Sequence, residues 1–265
     1  MPIHPTAIVD TSANISSSAD IGPYAVVEAN CTIGAETKLY PHAYVSEGTT
    51  VGQRVQIHPF AMVGHHPQDF AWDKSPSYTE IGDDAIVREH ASIHRGTMPE
   101  SVTRIGKSTF VMAMAHVAHN CQIGDNVILT SGVLLGGHTH VGDRAVFGAR
   151  SGTHQFCRVG QMVMIAGGAE IRKDVPPFMM AGHNGIIGIN AVGLRRNGID
   201  GPERLELKRC YHILCRGTGP LVDRIQEVTK LAEGPTARTL VEWLRAPTKR
   251  GVLTYTRKTT SSSDD

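Results

Sequence analysis

Residues 105–123 read Ile105-Gly106-Lys107-Ser108-Thr109-Phe110-Val111-Met112-Ala113-Met114-Ala115-His116-Val117-Ala118-His119-Asn120-Cys121-Gln122-Ile123. An apolar residue returns at every sixth place, at Ile105, Val111, Val117 and Ile123, with a small residue two places before it, as at Thr109, Ala115 and Cys121. Working outward, the same phase runs from Ile3 to Val63, over Ile81, Val87 and Ile93, on through Phe147, and over Val159, Ile165 and Ile171. Asp69, Ser75, Pro99 and Thr153 alone break it, and 25 positions keep it, too many for chance.

This is the hexapeptide repeat of a parallel β-helix. Alternate residues of a short strand point to opposite sides, so the apolar residue and the small residue two before it face inward together. Three six-residue faces make a triangular coil of about 18 residues, and stacked coils pair strand on strand at ~4.8 Å. Each coil then supplies its neighbour's hydrogen bonds and apolar lid. A glycine often follows the apolar residue, as at Gly22, Gly34, Gly106 and Gly124. The expectation is that it occupies a turn needing positive φ. No 3.6-residue period competes in this stretch. Residues 64–80 and 96–104, rich in Pro, Ser and charge, are expected to loop out of the solenoid. Loops on a rigid scaffold commonly carry function.

After Asp174-Val175-Pro176-Pro177 the period ends. Apolar spacings of three and four predict helices over 202–216, 219–232 and 236–247, punctuated by Pro202 and Gly234-Pro235. The organisation expected is mainly β: a parallel β-helix over 1–185, a helical domain over 186–258 and a disordered tail over 259–265. Residues 1–194 carry a net charge of −4 and residues 195–265 a net +5, making the second part a candidate surface for an acidic partner. No signal peptide and no membrane-spanning run stands out. Cys31, Cys121 and Cys157 fall in small inward slots and fit a reducing cytoplasm.

None of the 14 histidines falls in an inward slot. Subtracting 18 residues per coil stacks His138 and His154 beside His116 and His119 on one prism edge. Such a set could bind zinc, supply a general base with substrate-holding partners, or form a subunit interface.

The strings Ile93-His94-Arg95-Gly96-Thr97, Ala115-His116-Val117-Ala118-His119, Gly137-His138, His154-Gln155-Phe156-Cys157 and Gly193-Leu194-Arg195-Arg196 carry a likeness. In order, over nearly the whole chain, they resemble the acyl-[acyl-carrier-protein]–UDP-N-acetylglucosamine O-acyltransferases of lipid A biosynthesis. The resemblance implies a left-handed β-helix and a cytoplasmic homotrimer with sites between subunits. It implies transfer of a 3-hydroxyacyl chain from acyl carrier protein to the 3-position of UDP-GlcNAc, without metal, cofactor, nucleic acid or stable membrane insertion. His119 matches the family's general base and the Gly137 N–H its oxyanion donor. Matching the substrate contacts are Gln68, Asp69, His94, His116, His138, His154 and Gln155. Asn190 and Arg196 match nucleotide contacts, and Met164 and Gly167 the acyl groove.

Two departures stand out. Asn120 replaces the aspartate that commonly follows the base, and Ala71 replaces a lysine in the first loop. Asparagine orients an imidazole but stabilises its charged form less well. Acylation of the 3-amino analogue of UDP-GlcNAc is therefore an alternative. Two others are a zinc protein like the γ-type carbonic anhydrases and a non-catalytic nucleotide-sugar-binding scaffold.

Overall fold

The computed structural model describes residues 3–254, so the expected tail over 259–265 lies outside the described residues. The chain forms a left-handed parallel β-helix with a helical C-terminal segment. Three sheets make the prism. The first face holds nine strands, from Ile8–Val9 through His116–Val117 to Glu170–Ile171. The second holds eight, from Asn14–Ile15 to Arg158–Val159. The third holds ten, beginning at Asp20–Ile21. Register follows the 18-residue coil: Ile8 pairs with Val26 and Val26 with Tyr44, while His116 pairs with Leu134 and Leu134 with Gly152.

The inward residues are buried as the repeat requires. Ile21, Ala25, Leu39, Val117, Cys121 and Phe147 are all within 1% of full burial. Cys31, Cys121 and Cys157 are core thiols, and the described cysteines are free and buried. One continuous apolar cluster joins the coils to Leu194, Leu207, Leu214, Leu240 and Leu244 of the helical segment.

The corner glycines after inward residues, such as Gly22, Gly34, Gly106 and Gly124, do not have the positive φ expected of them, and Gly64, where the first loop leaves, is the exception among those described. The left-handed residue falls two places later and is seldom glycine: Asn30, His90, Asn120, Asn126 and His138 all have φ between 56° and 60°. No Val, Ile or Thr occupies such a position among the described residues, as β-branching would make it costly. The glycine answers a different constraint. A Cβ on Gly106 would lie 2.3 Å from the Gly124 carbonyl oxygen, and one on Gly34 2.4 Å from the Gly52 oxygen. Coils approach so closely at this corner that only a bare Cα fits.

The two interruptions are shorter than expected. Strands Met62–His65 and Tyr78–Ile81 reclaim the ends of the first, and Val102–Ile105 reclaims the end of the second. A register shift between Val63 and His65 marks where the first loop leaves.

Beyond the coils, an antiparallel hairpin of Met179–Gly182 and Gly185–Ile189 closes the third face, an element absent from the periodicity reading. Helix α1 (Ala191–Arg196) is also additional and is capped by Asn190. Helix α2 (Gly201–Tyr211), capped by Asp200, runs into a π-helical turn over His212–Arg216. Helices α3 (Leu221–Leu231) and α4 (Pro235–Arg245) follow. The Tyr211 hydroxyl donates to the Ile187 carbonyl at 2.9 Å, and the Arg158 guanidinium stacks on Trp243 of α4 at 4.3 Å. The chain then returns to the solenoid, where Leu253 N–H donates to the Asp174 carbonyl at 2.7 Å.

The glycine geometry generates a test. Gly106→Ala is expected to destabilise the fold by about 3 kcal/mol, an overpacking cost borne by backbone. Gly188→Ala, where a Cβ meets nothing within 4 Å, should change stability by no more than about 0.5 kcal/mol. Denaturant unfolding of both variants checks this; equal effects would refute the close-approach account.

Candidate active site

The edge between the first and second faces collects the chemistry. Both loops leave the solenoid there, and His119, Gly137, His138, Gln155 and Phe156 stack along it. His138 N–H donates to the His119 carbonyl at 2.9 Å, and Phe156 N–H to the Gly137 carbonyl at 2.9 Å.

His119 points away from the solenoid core, but it is not the open outer residue that the repeat suggests. It is 3% exposed, covered by the two loops. Its Nδ1 lies 2.9 Å from Asn120 Oδ1. That oxygen also accepts from Thr97 N–H at 3.0 Å and from the Thr97 hydroxyl at 2.9 Å. A backbone N–H can only donate, so the Asn120 atom is the carbonyl oxygen and His119 Nδ1 carries the hydrogen. The basic nitrogen of the ring is therefore Nε2. Asn120 itself is held by its N–H donating to the Thr103 hydroxyl at 2.7 Å. Thr97 and Thr103, which hold the Asn120 beside His119, carry no sequence signal of this role.

Asp69 reaches over from the first loop. Its Oδ1 accepts the Ala71 N–H at 2.9 Å, fixing the local turn, and its Oδ2 lies 3.3 Å from His119 Nε2. A carboxylate thus stands on the Nε2 side of the ring, although the neighbour on the Nδ1 side is neutral. Gly137 touches the other surface of the imidazole. A Cβ there would lie 2.5 Å from Nε2, so a side chain would displace the His119 ring. The Gly137 N–H has no acceptor among the described residues.

Within the four-histidine stack His119 and His138 form an edge-to-face pair, His116 pairs edge-to-face with His94 instead, and His154 stands apart. His119 and His138 lie 5.2 Å apart, and His94 and His116 4.9 Å apart. His116 Nδ1 is 2.8 Å from the Ser92 hydroxyl. His138 stacks on Phe156 at 4.6 Å. His154 is exposed, with Nδ1 3.3 Å from the Gln155 carbonyl; Gln155 beside it and Gln68 in the first loop are also exposed. His94 is 5% exposed and its Nδ1 is buried without a partner among the described residues. Burial lowers the His94 imidazole to about 4 and also lowers His116 and His138, so these flanking rings are neutral at pH 7. Among the described residues no three His, Cys, Asp or Glu side chains are grouped to hold a metal ion.

The remaining expected residues lie elsewhere. Met164 is on the third face and Gly167 on the edge between the third and first faces, away from His119. Asn190 is engaged by the fold: its Nδ2 donates to the Met162 carbonyl at 2.9 Å and its Oδ1 accepts from Gly193 N–H at 3.0 Å. Arg196 is exposed at the end of α1. Lys74 does not replace the missing lysine beside Asp69. It lines a separate cavity of about 710 Å³ with Asn30, Glu47, Trp72 and Arg95.

Residues 174–253 match the second domain of the UDP-N-acetylglucosamine O-acyltransferase family, and residues 103–137 match the bacterial transferase hexapeptide repeat. An acyl-[acyl-carrier-protein]–UDP-N-acetylglucosamine O-acyltransferase from Alkalilimnicola ehrlichii is 47% identical over 95% of this chain and 98% of its own. Among solved structures, the Francisella novicida UDP-N-acetylglucosamine acyltransferase superposes with a TM-score of 0.93 at 34% identity, over 99% of both chains. The UDP-N-acetylglucosamine O-acyltransferase from Moraxella catarrhalis gives 0.92 at 39% identity, over 96% of this chain and 100% of that one. With relatives this similar over nearly its whole length, the chain belongs to the acyl-[acyl-carrier-protein]–UDP-N-acetylglucosamine O-acyltransferase family.

Proposed function

We propose that the protein transfers a 3-hydroxyacyl chain from acyl carrier protein to the 3-oxygen of UDP-N-acetylglucosamine, the first step of lipid A biosynthesis. The observation that carries this reading is His119. Its Nδ1–H is fixed on Asn120, its Nε2 faces Asp69, and the bare Cα of Gly137, whose N–H has no acceptor among the described residues, lies against the ring. His119 Nε2 takes the proton of the sugar 3-hydroxyl as that oxygen attacks the thioester carbonyl. The Gly137 N–H donates to the oxyanion of the tetrahedral intermediate, at a place where a preformed donor needs no reorganisation. The intermediate collapses by breaking the C–S bond, and the departing thiolate takes the proton from the His119 imidazolium. Asp69 Oδ2 faces the charge that develops on the ring meanwhile. The neutral rings of His94, His116 and His138 line the cleft and accept or donate hydrogen bonds without competing for the proton.

The protein works as a homotrimer in this reading. Met164 and Gly167, the expected acyl groove, sit on a different part of the prism from His119, so a neighbouring copy has to bring them to it. Free buried cysteines fit a cytoplasmic enzyme, and no described helix is long and apolar enough to cross a membrane.

A second acceptor has one observation in its favour. Asn120 holds His119 through the same three donors a carboxylate would take, but without charge. A 3-amino sugar, neutral near pH 7, needs less help from the base than a hydroxyl.

Three outcomes test these assignments. His119→Ala should lower turnover by at least ~100-fold while leaving the solenoid folded by circular dichroism; a folded variant with near-wild-type acyl transfer would sink the base assignment. Co-assembled His119→Ala and Gly167→Trp chains, each inactive alone, should regain activity, because some clefts then combine two intact walls. Mixed assemblies that contain both chains yet stay inactive would rule out the shared cleft. For the acceptor, kcat/KM should favour the hydroxyl sugar in both wild type and Asn120→Asp. A wild-type preference for the amine that Asn120→Asp reverses would establish the second reading instead.

A further inference from the structure

The edge bearing His119 does not end at Phe156. After α4 the chain returns along it as a strap over residues 246–254. The strap is anchored at several points. Thr248 Oγ accepts from Arg250 N–H at 3.2 Å and Gly251 N–H at 2.8 Å, and Arg250 Nε donates to the Arg172 carbonyl at 3.2 Å. Asp174 N–H donates to the Gly251 carbonyl at 2.8 Å. This seats Lys249 with its ammonium 4.5 Å from the centre of the Phe156 ring. A continuous ladder results, one rung after another: His119, His138, Phe156, Lys249.

Beside the upper rungs lies a cavity of about 280 Å³ lined by His138, His140, Phe156, Arg158, Pro247, Thr248 and Lys249. No carboxylate is on its wall. Arg158 is charge-balanced, since its Nε donates to the buried Asp174 carboxylate at 2.7 Å. Lys249 makes no ion pair among the described residues and rests only on an aromatic face. The cavity is therefore a small space lined by a cation without an ion-pair partner among the described residues, with a hydroxyl and imidazoles beside it, at the end of the ladder that starts at His119.

We propose that Lys249 heads a phosphate-binding subsite at this end of the ladder, and that it seats the phosphate ester of the acyl donor's prosthetic arm. The proposal rests on the acyltransferase reading above. A lysine on a flexible stem binds phosphate as a point charge. Both substrates carry phosphate, but they place it differently. In the sugar nucleotide, one pyranose ring separates the reacting 3-oxygen from the diphosphate. In the donor, a long flexible arm separates the thioester from its phosphodiester. Lys249 lies beyond His138 and the whole Phe156 ring from His119, which suits the longer arm. The first loop has lost its lysine at Ala71 and Lys74 faces another cavity, so Lys249 is the described cation that stands on this ladder.

Steady-state kinetics on Lys249→Gln and Lys249→Arg test this, varying each substrate in turn. Lys249→Gln is expected to raise KM for the acyl donor on the order of 5-fold, the scale of one partly exposed charge contact. Turnover and KM for the sugar nucleotide should stay within about 2-fold, and the effect should shrink as salt screens the contact. Lys249→Arg should restore the donor KM. A rise confined to the sugar-nucleotide KM would overturn the donor assignment, and no rise in either would overturn the subsite. Pyrophosphate supplies a readout independent of turnover: it should raise the melting temperature of wild type more than that of Lys249→Gln, and equal shifts also overturn the subsite. If wild type transfers no acyl group to either sugar, the acyltransferase reading fails, and the pyrophosphate comparison still judges Lys249.

Discussion

The fold depends on the hydrogen bonding of each coil's backbone to the next at an 18-residue register. Strands of two residues have almost no stability alone. They persist because each is paired above and below, and because the inward residues of one coil roof those of its neighbour. That constraint reaches the covalent chain at the corner glycines. Pairing at this spacing forces the Gly106 Cα against the Gly124 carbonyl, so the corner tolerates no side chain. Two residues later the corner must turn with positive φ, and there side chains are tolerated provided they are not β-branched. The corner thus divides its labour: a bare residue where backbones touch, and an outward side chain where the chain turns.

The outward position is the one that the candidate site uses. Asn120, His138 and Phe156 all occupy it, one per coil, and the register carries them into a single column. A column spaced by β-pairing brings rings to stacking distance without any further packing, as His138 and Phe156 show at 4.6 Å. It also couples conformation to chemistry at Asn120. The left-handed backbone that turns the corner aims its amide oxygen back at the preceding His119, and Thr97 from the second loop locks it there.

The solenoid was legible in the sequence because its period is enforced at every coil by one physical rule. Inward Ile, Val, Leu and Ala recur because each slot sees the same surroundings, and Cys121 in a small slot obeys the same logic as Ala115. The histidine edge was legible for the same reason, since subtraction of 18 residues is a true structural operation here. What the period could not give lies where the period stops. Asp69 reaches His119 from a loop whose path no repeat dictates, and Thr97 meets Asn120 across a second loop. Lys249 comes to Phe156 from the other end of the chain, through helices whose packing is not periodic. The role of the corner glycine was misread because sequence shows that a side chain is missing, not what would have struck it. The hairpin Met179–Gly182 with Gly185–Ile189 was missed because its glycines and short apolar run carry neither period.

A bare prism is a poor place for acid–base chemistry, since its edges are convex and open to water. The interruptions solve that problem at one place only. Both leave from the same edge, the first at the register shift after Val63, and together they bring His119 to 3% exposure and His94 to 5%. Desolvation then keeps the flanking imidazoles neutral, with His94 lowered to about 4, while the contact with Asp69 gives His119 a carboxylate that its neighbours lack. One ring in a row of similar rings thereby has surroundings of its own, which is why the proposed chemistry is placed on it. The loops cover this edge from above but leave its flank open, and the third face carrying Met164 cannot fold round to close it. A convex element can form a cleft only against another body, which is why the proposed chemistry calls for a second copy of the same prism beside the first.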